Sequence, residues 1–551
     1  MRKTLKDGDL TVQIIAGCYV VMFGINIPRS KTAKLMGFAI QRKDFATGEL
    51  MWMRGMKTFA ATDPNDSLGA NYSSREHPFQ SFQWADYSVR PGQKYGYKII
   101  ALRGTPTHLQ EKETVEFKSI VTEVEDGDTH AIYFNRGAAA SQEYARRFQN
   151  RKPDKVPGGA AFTWLSRGLF EALISFIGQA KNSTFGIHAA VYEFNHPDVL
   201  AALKKAKDRG ADVQIAYHAF NDETRADTEK AIAAAGIGNI CKPRENTKKI
   251  SHNKFFILTK NGKAQQVFTG SVNITINGIF GHSNVGHIVR DKTVAEAYHA
   301  YWEQLHDNDL DGDQLKDWTA ENNPAPPEEN VSIPNIFPVF SPHKGLNILK
   351  WYSELANAAT SALFMTFAFG MNKEFFKVYN QDDDILRMAV MDKKGTTDES
   401  AAKIDEVRKL TSCVIAVGNN IKVNAFDNWL AEIRSIIKGP RVPYIHNKFM
   451  IVDPLGESPI VITGSANFSD DSTSTNDENM LVIQNNKRVA EIYLGEYMRM
   501  YAHYAFRESL TFKPNNDIDR AHLNPKSEWV NGYYGNNSRS MRRKYFAGVD
   551  K

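Results

Sequence analysis

One segment of this chain occurs twice. HNKFFILTKNGKAQQVFTGSVN begins at His252, and HNKFMIVDPLGESPIVITGSAN begins at His446. The two copies align without a gap, so the same interval separates the histidine from the Gly-Ser-x-Asn element in both. They lie about one domain's length apart. The sequence therefore predicts two homologous folding units, each built around one copy of the segment.

Each copy opens with a polar pair in front of an apolar run. His252 and Lys254 precede FFIL, and His446 and Lys448 precede FMIV. On a β-strand, side chains at i and i+2 point the same way, so each pair shares a face. The apolar run indicates a strand covered on both faces. We expect the pairs to lie where the strands emerge from the core, as ligand sites of open α/β sheets do. A single His-x-Lys pair is commonplace, but its duplication favours a functional interpretation.

The chain around the two copies alternates between strand and helix patterns. From about residue 155, STFGIHAAVYEF and ADVQIAYHAF read as strands, while PDVLAALKKAKDRG and ETRADTEKAIAAAG read as helices. This alternation predicts a mostly parallel sheet flanked by helices. The proline-rich segment 321–342 reads as a linker, after which the pattern restarts. We therefore expect an α/β lobe at 155–320 and a second one at 343–510.

The ends of the chain have different patterns. Residues 1–135 contain short runs of strand formers separated by turns, and Tyr95, Tyr97, Ile99 and Ala101 share one strand face, which predicts a β-sandwich. The region loosely resembles fibronectin type III and immunoglobulin-like domains, and a partner that binds to it is possible. Residues 511–551 form a basic and aromatic tail, a composition that suits phosphate backbones and bases or an anionic membrane surface.

Length, charge and cysteine content limit the possible domain number, partners and cellular location. The 551 residues exceed one core, and the net charge of +5 is too small to indicate a polyanionic partner. No apolar run is long enough for a membrane-spanning helix, and the N-terminus lacks a signal-peptide cleavage pattern. The three cysteines predict neither a disulfide framework nor a metal cluster. We expect a cytoplasmic protein; the sequence does not indicate its oligomeric state.

The two copies together resemble the signature of the phospholipase D superfamily, H-x-K-x(4)-D followed by G-S-x-N. The resemblance covers about residues 155 to 510 and is specific for the superfamily, but it says little about the substrate. Thr259 departs from the pattern, because an aspartate belongs there. The matching positions are His252, Lys254, Gly270, Ser271 and Asn273 in the first copy, and His446, Lys448, Asp453, Gly464, Ser465 and Asn467 in the second.

The resemblance implies two pseudo-symmetric α-β-α lobes that share one phosphate site. One histidine would attack phosphorus and the other would protonate the leaving oxygen, giving a phosphohistidine that water or another alcohol cleaves. Lys254 and Lys448 would neutralise the phosphate oxygens, to which the motif asparagines would donate hydrogen bonds. Supporting roles are implied for Ser271, Ser465 and Asp453. No metal or other cofactor is implied.

The family also places an acidic residue at a set distance after each histidine, where it holds the second imidazole nitrogen. Glu478 occupies that position after His446, whereas Asn284 occupies it after His252. A carboxylate raises the pKa of a histidine more than an amide does. We therefore expect His252 to be the neutral nucleophile and Glu478 to keep His446 protonated. The opposite assignment stays open, because a carboxylate partner also strengthens a nucleophile.

Two substrate classes fit this chemistry. A nuclease needs a basic groove, to which residues 241–249 (CKPRENTKK) and the basic tail could contribute. A phospholipase D needs an apolar mouth, to which Gly278–Phe280 and Phe337–Phe340 could contribute. The absence of export and membrane segments slightly favours nucleic acid. For His188, His218, His282 and His287 a structural role is favoured, although the last two could line the cleft.

A different class of function is a binding module with degraded chemistry. In that interpretation the N-terminal domain recognises a partner, and the lobes merely hold a phosphate. Thr259 and Asn284 support it, because both depart from the family pattern. The intact histidine and lysine pairs weigh against it.

Overall fold

The computed structural model describes residues 1–63, 71–137, 142–149, 151, 153–220, 223–326, 334–395, 397–418, 445–509 and 522–549. These residues form a sheet-rich N-terminal domain followed by two α/β lobes, as predicted. No single helix of the described ranges has the length and apolarity to cross a membrane. One bent pair of short helical segments, 157–166 and 169–178, meets those two criteria.

The N-terminal domain consists of two antiparallel four-stranded sheets with the orders β1-β2-β3-β8 and β10-β9-β4-β5. Both sheets contribute to one apolar cluster, which contains the predicted inward face of Tyr95, Tyr97, Ile99 and Ala101. The β-sandwich prediction is therefore confirmed. Its strands, with the short pair β6 and β7, are β1 (Arg2–Asp7), β2 (Leu10–Ala16), β3 (Val21–Asn26), β4 (Leu35–Asp44), β5 (Leu50–Trp52), β6 (Arg54–Gly55), β7 (Tyr72–Ser73), β8 (Gln83–Asp86), β9 (Lys94–Thr105) and β10 (His108–Val121).

Among the described residues, each lobe contains one seven-stranded sheet, and the two sheets have equivalent strand orders, β11-β17-β16-β15-β12-β13-β14 and β18-β24-β23-β22-β19-β20-β21. The first lobe contains β11 (His130–Phe134), β12 (Phe185–Val191), β13 (Asp212–His218), β14 (Cys241–Arg244), β15 (Lys254–Lys260), β16 (Lys263–Gly270) and β17 (Val285–Val289). The second contains β18 (Ile336–Ser341), β19 (Ala362–Phe367), β20 (Leu386–Met391), β21 (Cys413–Val417), β22 (Phe449–Val452), β23 (Ile460–Gly464) and β24 (Glu478–Gln484).

The prediction of mostly parallel sheets is wrong. In the first lobe only the β12–β13 and β13–β14 pairs are parallel, and the other four pairs are antiparallel. The reason lies at Asn261 and Gly262, the only two residues between β15 and β16, both with positive φ. An Asn-Gly pair of this kind closes a tight hairpin, and parallel strands need a much longer crossover.

Helices cover both faces of each sheet. Two of them, Lys292–Leu305 and Lys487–Ser509, lie between the lobes, where their aromatic residues share one buried cluster with apolar residues of both sheets. The other described helices are Gln142–Phe148, Ala160–Ser166, Leu169–Gly178, Pro197–Asp208, Glu223–Ala235, Gly312–Asn322, Asn347–Asn357, Lys373–Tyr379, Asp398–Val407, Asp470–Ser474 and Ser538–Ala547.

The structure differs from the sequence-based domain boundaries at two places. The edge strand β11 lies within the region assigned to the sandwich but pairs with β17 of the first lobe. The edge strand β18 lies within the expected linker 321–342 but pairs with β24 of the second lobe. Pro338 obscured β18 in the sequence, since proline is tolerated at sheet edges but not in central strands.

The described part of the tail, 522–549, is folded against the sandwich. Trp529 donates its indole N–H to the Leu35 carbonyl at 2.8 Å, and the helix Ser538–Ala547 packs on β3. Gly24 of β3 permits this contact, because a Cβ there would lie 1.9 Å from the Phe546 carbonyl oxygen. By composition alone, the aromatic residues of the tail could equally bind a ligand or pack in a core. In the structure they complete the apolar core of the sandwich.

Candidate functional site

The two copies of the repeated segment meet at the interface between the lobes. The backbone N–H of His252 donates to the carbonyl of Asp477 at 2.9 Å, and that of His446 donates to the carbonyl of Ser283 at 3.3 Å. Each histidine is thus bonded to the backbone of the opposite lobe. Two strand ends that are far apart in the sequence are fixed side by side.

The reacting groups predicted from the motifs form one buried cluster. His252, Lys254, His446 and Lys448 are all buried, with 6%, 2%, 5% and 1% of their surface exposed. Burial and the neighbouring Lys448 lower the pKa of His446 well below its usual value, and Lys254 and His252 of the first lobe lower it further. The two imidazoles and two ammonium groups therefore share one electrostatic environment.

The expected pairing of the histidines with their supporting residues is wrong. Glu478 contacts His252 and not His446: its two carboxylate oxygens lie 2.9 and 3.0 Å from Nδ1 of His252. Nδ1 of His446 instead lies 2.9 Å from Oδ1 of Asn284. Counting along the chain places each supporting residue beside the histidine of its own repeat. The lobe interface exchanges them, because Asp477, next to Glu478, is hydrogen-bonded to the backbone at His252.

The environment of Asn284 determines the tautomer of His446. Asn284 donates from Nδ2 to the Gly278 carbonyl at 2.7 Å, which turns its Oδ1 toward His446. The Ser271 carbonyl is a second acceptor, 3.1 Å from the same ring nitrogen. Since both neighbours are acceptors, Nδ1 of His446 carries the proton. In the neutral ring Nε2 is then the basic nitrogen.

The environment of His252 produces the same tautomer with a stronger partner. Burial lowers the pKa of His252 to about 4, against the opposing effect of Glu478. Burial would raise the pKa of Glu478, but His252 and Lys254 hold it below its usual value. At neutral pH a neutral imidazole therefore donates from Nδ1 to a carboxylate. Its Nε2 carries a lone pair, as a nucleophile requires.

Both motif lysines are held in the same way. Lys254 Nζ donates to the carbonyl of His252, and Lys448 Nζ donates to the carbonyl of His446, each at 2.7 Å. Burial lowers the pKa of Lys254 to about 7 and that of Lys448 well below its usual value. A bound anion favours the charged form of each lysine, so the site is electrostatically suited to phosphate.

The motif asparagines differ in their surroundings. Asn273 donates from Nδ2 to Glu193 at 2.6 Å, while its Oδ1 is buried without a hydrogen-bond partner among the described residues. Oδ1 of Asn467 has no such partner either, and Asn467 lines a pocket of about 520 Å³. The first-lobe asparagine thus contacts a carboxylate, whereas the second-lobe asparagine lines a pocket.

Sequence reasoning missed Tyr192 and Glu193. The ring of Tyr192 contacts the ring of His252 at 4.8 Å between centroids, and Lys254 Nζ lies 5.0 Å from the Tyr192 centroid. Both residues directly follow the buried strand β12. A charged residue immediately after a buried strand, in YEF, was the available signal.

The motif serines hold strand ends in place. Ser271 donates to Asn284 Oδ1 at 2.8 Å and accepts from the Val285 N–H at 3.1 Å. Ser465 donates to the Asn479 carbonyl at 3.2 Å and accepts from the Asn479 N–H at 3.0 Å. Each hydroxyl ties the end of one sheet strand to its neighbour, and Ser271 also orients the amide that contacts His446.

Asp453 lies away from the reacting groups, at the far end of β22. It accepts five hydrogen bonds at 2.6–2.9 Å from the backbone and hydroxyl groups of Thr360 and Ser361 and from the Ala362 N–H. Thr259 occupies the equivalent register position in the first lobe, opposite Gly186. The aspartate thus fastens the start of β19.

Of the other histidines considered, His282 lies nearest to the reacting pair, with its ring centroid 5.5 Å from that of His446. His287 pairs with His130 at 2.9 Å, and His188 pairs with Asp212 at 2.9 Å. His218 supports the site indirectly, because it accepts from the backbone N–H beside His252.

The segments considered as substrate contacts are mostly buried. Ile279 and Phe280 are 0% and 6% exposed, and Phe340 in β18 is 1% exposed. These three side chains pack into the core and do not form the expected apolar mouth, whereas Phe337 is half-buried. In the basic stretch 241–249, Arg244 is fully buried against Asp477 at 3.1 Å, whereas Lys249 lines the pocket.

The sequence of this chain matches a known protein family. A family model described as "Cardiolipin synthase, PLD-like domain" matches residues 173–306 and 353–500, slightly more than half of the chain. A search of curated proteins found no significant match. Both matched segments contain one copy of the repeated motif.

Solved structures with a similar fold were also found. Phosphatidylserine synthase of Haemophilus influenzae is 11% identical, with 62% of this chain and 85% of that chain covered and a TM-score of 0.43. Yeast tyrosyl-DNA phosphodiesterase is 15% identical, with 57% and 85% covered and a TM-score of 0.32. The phospholipase D family member Nuc from Salmonella typhimurium is 19% identical, with 30% and 93% covered and a TM-score of 0.23.

The structural scores are all below 0.5, so the assignment depends on the sequence match. That match covers both lobes and includes both histidine motifs. The chain therefore belongs to the phospholipase D superfamily, within the family of phospholipase D-like domains described by the cardiolipin synthase model.

Proposed function

We propose that this protein is a phosphodiesterase that cleaves its substrate through a covalent phosphohistidine at residue 252. One observation carries the proposal. Two imidazoles, each held at Nδ1 by a group that fixes its tautomer, share one buried site with two ammonium groups. General acid–base and nucleophilic catalysis both require such positioned rings.

In the first step, the Nε2 lone pair of His252 attacks phosphorus. A P–N bond forms while the P–O bond to the leaving alcohol breaks, and the leaving oxygen takes a proton from Nε2 of protonated His446. Glu478 stabilises the positive charge that develops on the attacking ring. The burial that lowers the pKa of His446 makes it a strong acid, and the bound phosphate anion favours its protonation.

In the second step, water attacks the phosphoenzyme. His446, now neutral, takes a proton from the water at Nε2, the water oxygen bonds to phosphorus, and the P–N bond to His252 breaks. The products are a phosphomonoester and the free enzyme, with His446 protonated again. Another alcohol in place of water would give transfer instead of hydrolysis.

The remaining motif residues stabilise the charge on phosphorus. Lys254 and Lys448 supply positive charge from opposite lobes, and Asn273 and Asn467 supply amide donors. These steps use protein side chains throughout, so we expect activity in the presence of EDTA. For the substrate we propose a nucleic acid, with a phospholipid as the competing phosphodiester.

The experiment is hydrolysis of bis(p-nitrophenyl) phosphate with EDTA present. We expect turnover by the wild type and loss of turnover in His252→Ala and His446→Ala. His108→Ala, an exposed histidine of the sandwich, is the matched control and should keep full activity. Wild-type inactivity, or loss of activity on adding EDTA, would contradict the proposal.

A further inference from the structure

Equivalent positions in the two lobes carry opposite kinds of side chain. In the first lobe β12 ends opposite the motif lysine, with Val191 paired to Lys254. The register of β19 with β22 continues to place Phe367 opposite Lys448. Glu193 lies two positions after Val191, and Phe369 lies two positions after Phe367. The same structural position therefore holds a carboxylate in one lobe and an aromatic ring in the other.

This difference closes one side of the site and opens the other. Glu193 accepts from Asn273, and Tyr192 lies against His252, so both fill the space next to the first-lobe motif. The corresponding residues of the second lobe are Ala368 and Phe369. Ala368 is too small to reach the site, and half of Phe369 is exposed, in the pocket of about 520 Å³ that Asn467 lines.

The pocket combines an exposed aromatic side chain, Phe369, with positive charge. Four lysines line it, and its only acidic lining residue among the described residues is Asp471, which pairs with Lys249. Lys394 and Lys403 pair with carboxylates outside the pocket. Lys373 has no carboxylate of the described residues within ion-pair distance.

We infer that this pocket binds a single-stranded segment of a nucleic acid, with a base stacked on Phe369 and the neighbouring phosphate bound by Lys373. Aromatic platforms interleaved with lysines are the usual means of holding single strands. A volume of about 520 Å³ is in the range of small-ligand pockets and suits a single nucleotide. The inference rests on the proposed function, because it places the scissile phosphate at Asn467.

The distribution of lysines favours a polynucleotide over a phospholipid. Lys254 and Lys448 already provide the positive charge for a scissile phosphate. An ordinary phosphatidyl diester has no second phosphate for the additional lysines of the pocket. A nucleic acid strand presents another phosphate at each nucleotide, and a base must leave the stack to enter a pocket, which selects single strands over duplexes.

The test compares a fluorescently labelled single-stranded oligonucleotide with methyl p-nitrophenyl phosphate, a reporter too small to span the pocket. Phe369→Ala should lower the ratio of the two kcat/KM values by about 10-fold or more, and Phe369→Trp should restore it. Lys373→Gln should weaken oligonucleotide binding, measured by fluorescence anisotropy. It should also make the slope of the logarithm of the binding constant against the logarithm of the salt concentration shallower by about 0.7.

Matched controls separate these effects from general damage. Phe45→Ala alters another exposed ring, which lies in the sandwich and is 40% exposed against 50% for Phe369. Lys377→Gln alters a lysine of the same helix as Lys373, outside the pocket. Both variants should behave as wild type. An equal loss on both substrates in Phe369→Ala would show a merely structural role and overturn the inference.

The other outcomes distinguish the two proposals. Reporter hydrolysis without oligonucleotide binding overturns the nucleic-acid inference and the proposed nucleic-acid substrate, but it leaves the proposed phosphohistidine chemistry standing. Cleavage of phosphatidylcholine or phosphatidylethanolamine vesicles that depends on Phe369 also overturns the nucleic-acid inference, since the pocket would then bind a lipid. Oligonucleotide binding that depends on Phe369 but without any cleavage supports the pocket and overturns the proposed function.

Discussion

The two lobes share one strand order but differ in what surrounds their histidines. His252 of the first lobe has the Glu478 carboxylate at Nδ1, whereas His446 of the second has the neutral Asn284 amide. The first lobe is closed by Tyr192 and Glu193, and the second opens into a pocket. A duplicated fold thus supplies two similar imidazoles, and in the proposed mechanism a few substitutions around them divide the roles.

The division of roles predicts the largest effect at the histidines. His252→Ala removes the nucleophile and should lower kcat by about 10⁴-fold or more on any substrate. His446→Ala should release one equivalent of p-nitrophenol per active site from bis(p-nitrophenyl) phosphate and then stall, because this leaving group needs little protonation but hydrolysis needs the base. Stopped-flow absorbance measures the burst, and a burst in His252→Ala would reverse the assignment.

The next largest effect on kcat is expected at Glu478 and Asn284, the residues that contact Nδ1 of the two histidines. Glu478→Gln removes the charge that stabilises the developing imidazolium and should lower kcat by about 10²-fold. Asn284→Asp places a carboxylate beside His446 and should raise the pKa of that ring, moving the pH dependence of kcat upward with a smaller loss. Steady-state pH profiles of both variants test this. Equal losses in the two variants would mean that the lobes are functionally equivalent.

The motif aspartate should affect stability more than chemistry. Asp453→Ala leaves five donors without their acceptor, and we expect it to lower the free energy of unfolding by about 3 kcal/mol. Thr259→Val, at the equivalent place in the first lobe, should cost about 1 kcal/mol or less. Urea denaturation measures both changes. A larger cost at Thr259 would contradict the structural comparison.

The same carboxylate predicts an acid dependence of stability. Burial would raise the pKa of Asp453, but hydrogen bonds from Ser361, Ala362 and Thr360 hold it below its usual value. Its stabilising contribution is therefore complete above the unfolded pKa of about 3.9 and is lost as the pH falls through the lower folded pKa. The stability difference between wild type and Asp453→Asn should shrink below pH 4, measured by urea denaturation.

The smallest expected effect is a change in the alkaline limb of kcat/KM. Burial lowers the pKa of Lys254 to about 7, so the free enzyme loses this positive charge as the pH rises above 7, and kcat/KM for an anionic substrate falls. Lys254→Arg keeps its charge and should move part of that loss to higher pH, although Lys448 and the general acid His446 still titrate. A wild-type profile that is flat to pH 9 would contradict this. An acidic limb near pH 4 is expected from His252.

The candidate catalytic side chains were predictable because they are repeated. Two identical His-x-Lys pairs with equal spacing to Gly-Ser-x-Asn identified the buried cluster at the lobe interface, and the strand and helix patterns identified both lobes. The partner of each histidine was not predictable from spacing. Glu478 is nearer to His446 along the chain but contacts His252, since the exchange depends on backbone bonds between lobes.

Other features required the folded chain for physical reasons. The antiparallel hairpin was encoded in Asn261-Gly262, but the alternating pattern around it suggested parallel strands. Glu193 and Phe369 follow buried strands in segments without a motif, and only the strand register makes them equivalent. Aromatic residues of the tail could cover a ligand or a core by composition alone, and the structure places Trp529 on the sandwich.

The central claim is that His252, the ring with the carboxylate partner, carries the phosphoryl group. It is tested most directly by mixing His446→Ala with bis(p-nitrophenyl) phosphate, quenching in alkali and locating the adduct by mass spectrometry of peptides. We expect a p-nitrophenyl phosphoryl group on residue 252 and none in His252→Ala. An adduct on residue 446 in His252→Ala, with none on residue 252 in His446→Ala, would contradict it.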